Sequence, residues 1–111
     1  MSDRDPILLI EDILGACSKI EKYTKGLTFH EFEQNDLIID AVIRNFEIIG
    51  EAANRLPEEF KKQHSDIEWH RIRGFRNRIV HGYFGVDLEI LWKIKNENLQ
   101  SLQDQLEDIL N

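Results

Sequence analysis

One cysteine, Cys17, is too few for an internal disulfide or for a zinc site built from several thiolates. That scarcity fits a reducing compartment, and Cys17 reads as a small buried hydrophobe. There are two prolines, Pro6 and Pro57, and no β-patterned run with hairpin turn chemistry, so an all-helical fold is expected. Long apolar runs are missing too. The N-terminal "MSDRDPILLIEDILGACSKI" is interrupted by Glu11 and Asp12 and carries no small-residue cleavage signal. It reads neither as a secretory peptide nor as a membrane span, and the expected location is cytoplasmic. Basic residues are in short supply: 14 Lys and Arg against 21 Asp and Glu give a net charge of −7. Such a surface opposes diffuse binding to nucleic acid or to anionic lipid, so no membrane partner is expected. His30, His64 and His70 have no metal-ligand spacing and read as surface or cap residues. Neither a glycine-rich phosphate loop nor a Ser-His-Asp arrangement occurs, and no cofactor or metal is expected.

What is present suits one soluble helical domain spanning 1–111, with 41% hydrophobic and 32% charged residues. Asp5 before Pro6 predicts an N-cap and first helical residue, with Ile10, Ile13, Cys17 and Ile20 on one stripe and an end near Gly26. Thr28 and Glu31 form a capping box for a short helix. In the central segment Ile39, Val42, Phe46, Ile49, Ala53 and Leu56 alternate spacings of three and four, the seam of a bundled helix. Further apolar residues at Leu37, Ile38, Ala41, Ile43, Ile48 and Ala52 widen that stripe, so a second side of the helix could face another subunit. Pro57 stops this helix, and "PEEFKKQ" suits a short connector. Ser65 with Glu68 predicts a capping box for a helix running to about Val80, which Gly82 would terminate. A last helix from near Asp87 would carry Leu88, Leu91, Ile94, Leu102, Leu106 and Ile109 to the core. Trp69 and Trp92 read as core. The sum is an up-and-down bundle of four main helices with short connecting helices.

The charge is unevenly spread. Between Trp69 and Val86 stand Arg71, Arg73, Arg76 and Arg78 and no acid, so the rest of the chain is more acidic than the whole. With Arg76 at zero on a helical wheel, about 100° per residue puts Arg73 near 60°, Asn77 near 100° and His81 near 140°. Ile72, Phe75 and Ile79 fall on the other side, toward the bundle. Arg76 can give two parallel hydrogen bonds to a phosphate and stabilise the charge of a phosphoryl transition state. His81 can move a proton near neutral pH, and Asn77 is spaced to orient either the ring or a phosphate oxygen. Arg73 and Arg78 are candidate phosphate contacts, with a solvated face that pairs with acids of the chain as the lesser reading for Arg71 and Arg78. Glu51 lies in the apolar central helix, where it either pairs with Arg73 or Arg76 or stands solvated on the outer edge. Together these groups suit metal-free RNA cleavage, in which the ribose 2′-hydroxyl attacks the adjacent phosphate. One histidine cannot easily serve as base and acid at once, which favours a site shared by two copies of the chain.

"RNRIVHGYF" matches the Arg-x4-His-x-Tyr signature of the HEPN superfamily. The blocks "DAVIRNFEIIGEAANRL" and "IEWHRIRGFRNRIVHGYFGVD" resemble the HepT group of toxin ribonucleases within it, and the similarity covers nearly the whole chain. The resemblance implies a homodimeric helical bundle with paired motifs in a cleft, and metal-independent endoribonuclease activity on RNA. It also implies a toxin role opposed by an MNT-type nucleotidyltransferase, a type VII-like system in which AMP is attached to the motif tyrosine. Carried over, Arg76 and His81 are the catalytic pair, Asn77 is the polar helper, and Tyr83 is the AMPylation target; Glu51 is a supporting candidate on its position in the apolar helix alone. A non-catalytic helical module that binds the nucleotidyltransferase, and with it a nucleotide, is the rival reading.

Overall fold

The computed structural model describes residues 5–80 and 85–111. Among them the fold is all-helical, as expected: seven helices and a single isolated β-bridge. Helix α1 (Pro6–Thr24) starts as its sequence predicts, with the Asp5 carboxylate accepting from the Ile7 N–H at 2.8 Å and proline in the first turn. It ends where the Thr24 hydroxyl turns back to donate to the Ile20 carbonyl at 2.8 Å. Gly26, at φ +77°, then supplies the left-handed conformation that swings the chain into α2 (Phe29–Glu33). Both halves of the Thr28–Glu31 capping box are formed. The hydrogen bond from the Thr28 N–H holds the Glu31 carboxyl below its ordinary pKa.

Helix α3 (Asp36–Arg55) is the central element, packed against α1 on one side and α5 on the other. Its cap is Asn35, which accepts from the Ile38 N–H at 3.1 Å. The expected seam is buried from Ile39 through Leu56, and Ala52 joins it. The residues that widen the stripe behave differently, since Ile38, Ala41, Ile43 and Ile48 are half-buried and Leu37 is 84% exposed.

After α4 (Glu58–Gln63) comes α5 (Trp69–Ile79), and here the sequence expectation fails at the cap. Glu68 is itself the N-cap and makes no side-chain cap hydrogen bond. The chain from His64 to Ile67 is wound in a turn, with the Ile67 N–H on the His64 carbonyl and Ile67 buried, so Ser65 is used up before the helix begins. The last helix is two: α6 (Leu88–Glu97), capped by Asp87, and α7 (Leu99–Leu110), with Asn98 ending one and starting the other. Leu91 and Ile94 are buried, and so is Leu99, five residues beyond Ile94. A straight helix would turn Leu99 about 140° away from Ile94, so the break at Asn98 is what brings Leu99 inward.

The buried residues of α1, α3, α5, α6 and α7 form one core, and these helices are neighbours in a closed order, α1–α3–α5–α6–α7–α1. Trp69 is in that core, its indole N–H donating to the His64 carbonyl at 3.1 Å. Trp92 is only partly buried, against Phe29 and Phe32, with the Lys95 ammonium 4.6 Å from its ring.

Candidate functional site

The apolar stripe of α5 fixes its rotation. Ile72, Phe75 and Ile79 are buried, with Phe75 edge-on to Phe46 of α3, so the polar residues between them face outward. Along the crossing of α3 and α5 this leaves an open groove of about 590 Å³. Its α5 wall carries His70, Arg73, Gly74, Arg76 and Asn77, and its α3 wall carries Glu47, Gly50, Glu51 and Asn54. The two backbones come close at Gly50, where a Cβ would lie 3.4 Å from the Arg73 carbonyl oxygen, within ordinary contact.

Arg73 is tied across the groove, donating from Nη1 to Asn54 Oδ1 at 3.2 Å. Arg76 is exposed and makes no ion pair with another described residue, and its guanidinium fork has the geometry to bind a phosphate with two parallel hydrogen bonds. Glu51 lines the same groove but forms no ion pair with Arg73 or Arg76; of its two readings, the exposed one holds. Glu47 is engaged instead with Arg44, at 3.7 Å. The groove therefore has a basic wall and an acidic wall, which the run of arginines alone did not suggest. An anion would bind along α5, with hydrogen-bond donors from Arg73, Arg76 and Asn77.

The structure thus gathers Arg73, Arg76, Asn77 and Glu51. Arg78 is exposed but does not line the groove, standing about 200° around the helix from Arg76. Arg71 leans on Glu68 at 3.8 Å. His81 and Tyr83, and with them Gly82, lie outside the described residues. On either side of them the chain is pinned, by an antiparallel bridge between Val80 and Val86 and by the Asp87 N–H donating to the Ile79 carbonyl at 2.7 Å. On the α5 wall His70 is a lining side chain that motif reasoning missed. Its signal was the spacing of His70, Arg73 and Asn77, three and four residues apart, which places them on one helical face. Among the described residues no three His, Cys, Asp or Glu side chains gather to hold a metal ion, and no helix is long and apolar enough to cross a membrane.

Residues 13–109 match the family model described as "Ribonuclease HepT-like", a span that takes in both walls of the groove. The chain belongs to the HepT-like ribonuclease family. A Thermococcus cleftensis protein whose name includes "ribonuclease HepT" is 39% identical over 100 residues, 90% of this chain and 91% of its own. Two more relatives have names that include "RNase". That of Caldanaerobacter subterraneus subsp. tengcongensis is 36% identical over 107 residues, covering 96% of both chains. That of Methanocaldococcus jannaschii is also 36% identical over 107 residues, covering 96% of this chain and 98% of its own. No solved structure matches. Membership in the HepT-like family makes RNA the substrate class to consider for the α3–α5 groove.

Proposed function

We propose that this HepT-like protein is the toxin of a type VII-like toxin–antitoxin pair: one domain that dimerises and cuts RNA without a metal. Arg76 and His81 of two protomers would line the cleft, and AMPylation of Tyr83 by an MNT-type nucleotidyltransferase would silence it. The observation that carries the reading is the exposed Arg76, with no ion pair among the described residues, beside Arg73 and Asn77 on one wall of an open groove. In the reaction the ribose 2′-oxygen bonds to phosphorus as the bond to the 5′-oxygen breaks, leaving a cyclic phosphate and a free 5′-hydroxyl. A base takes the proton from the 2′-hydroxyl and an acid gives one to the departing 5′-oxygen, the two tasks falling to the two His81 rings. Arg76 neutralises the charge that builds on the phosphoryl oxygens, and Asn77 orients a phosphate oxygen or an imidazole. The carboxylates of Glu47 and Glu51 keep the phosphate against the α5 wall by repulsion.

The test is incubation of the protein with mixed RNA in excess EDTA, beside His81→Ala, after mass spectrometry has confirmed that Tyr83 carries no adduct. The parent is expected to cleave, and the variant to lose at least about a hundredfold in rate at unchanged helicity. Equal cleavage by both would sink the role of His81. Cleavage by neither would leave the non-catalytic module as the better account.

A further inference from the structure

Beside the α3–α5 groove, between α4 and the start of α5, lies a second cavity of about 370 Å³. Its charged lining consists of Lys61 and Lys62, then His70 and Arg73, which it shares with the first groove, and finally Glu58 and Glu68. Lys61 is the unusual member. A lysine normally buries its stem and leaves its ammonium in water, yet here the whole side chain is 9% exposed. Its partner is Glu58 at 3.4 Å, long for a charge-assisted hydrogen bond, and Glu58 is 79% exposed. The ammonium thus retains donors at the cavity, and as a mostly buried charge it is screened less than a fully exposed one. Of the two acids, Glu68 is 64% exposed and leans toward Arg71, while three cations, Lys61, Lys62 and Arg73, line the same space. Trp69 also lines it, but its indole is buried and its N–H is spent on His64, so it offers no face for a base to stack on.

We propose that this cavity is a second phosphate subsite, which holds a backbone phosphate of single-stranded RNA while a neighbouring part of the strand lies in the α3–α5 groove. It rests on the ribonuclease reading above. The two cavities meet at His70 and Arg73, and from His70 to Asn77 the wall of α5 runs about 10 Å, so a strand following the helix passes from one to the other. The subsite is lined chiefly by cations, so its main contribution is affinity for longer strands through the backbone phosphate.

The experiment measures binding of 2′-O-methyl RNA, which has no nucleophile to be cleaved, by fluorescence anisotropy across a salt series. A dinucleotide and an octanucleotide are compared. For the octanucleotide, Lys62→Gln and Lys61→Gln should each lower the slope of log Kd against log salt by about 0.7, the value of one lost single-strand phosphate contact. The affinity gained on lengthening the strand should shrink with it. Lys93→Gln, an exposed change on α6, is the control and should keep the parent's slope. Lys62 is exposed and its variant is expected to fold, so it carries the test even if Lys61→Gln does not. A parent-like slope and length gain in Lys62→Gln, with the parent binding and cleaving RNA, would overturn the subsite and leave the ribonuclease reading standing. Failure of the parent to bind either oligonucleotide would overturn both.

Discussion

Cys17 lies on the buried stripe of α1 with no exposed surface, and burial, reinforced by the nearby Glu21 charge, pushes its thiol from the ordinary 9.0 up to about 12. The thiolate is the reactive form, so the native protein should resist alkylation at pH 8 until it unfolds. The sign of the stability effect follows from linkage. Between pH 9 and 12 the unfolded thiol has lost its proton while the folded one keeps it, so stability falls as pH rises through that window. The slope is about 1.4 kcal/mol per pH unit for this group. Urea unfolding of the parent and of Cys17→Ala at pH 8, 9 and 10.5 isolates it: the parent's advantage over the variant should shrink above pH 9 and be constant below. A constant gap at all three values would show that the thiol titrates normally in the fold. Asn45 is a different buried group, donating to the Ala41 carbonyl at 2.8 Å while its Oδ1 has no partner among the described residues. An orphaned acceptor of that kind costs about 1–3 kcal/mol.

Helix starts that depend on a local side-chain bond were legible in the sequence, as at Asp5, Thr28 with Glu31, and Asp87. Ser65 with Glu68 has the same spelling and fails, because burial of Ile67 and the turn before it is a tertiary demand that a four-residue pattern does not contain. The break at Asn98 was hidden for the same kind of reason, since only packing reveals that Leu99 must reach the core. In the groove, Arg73, Arg76 and Asn77 could be placed on one face of α5 by periodicity alone. The opposing wall, with Glu47, Gly50 and Asn54, depends on how α3 crosses α5 and could not. Gly50 is where that crossing can be tested. A methyl at 3.4 Å from the Arg73 carbonyl is an ordinary contact, and Ala exceeds Gly in helix propensity by about 1 kcal/mol. Gly50→Ala should therefore leave the melting temperature unchanged or raise it by a few degrees. Gly50→Ile should wedge the helices apart and lower it, together with RNA binding in the groove. A lowered melting temperature for Gly50→Ala in a thermal scan would mean that the helices tolerate no added atom there.

Net charge and oligomeric state belong to the molecule as a whole, and both bear on how the reaction could be completed. At −7 the surface as a whole repels RNA, and the attraction is local, at Arg73 and Arg76 on the α5 wall and at Lys61 and Lys62 in the adjoining cavity. In the proposed mechanism each chain would bring one His81 to a reaction that needs a proton acceptor and a proton donor, and the half-buried apolar side of α3 with the exposed Leu37 offers surface for a second copy. If the site is composite, its activity belongs to pairs of chains. Mixing parent protein with increasing His81→Ala, after exchange of subunits, should then reduce cleavage per parent chain. With equal affinities, a fourfold excess of the variant leaves about one parent chain in five paired with another parent, and activity per parent chain should fall toward that fraction. Independent sites predict the opposite, a constant activity per parent chain at every ratio. Arg76→Ala mixed with His81→Ala refines the result: a shared cleft retains one arginine and one histidine in every mixed pair. If both histidines are needed the mixture should cleave no faster than either variant alone; faster cleavage would show that the protomers share one phosphate but that a single histidine suffices.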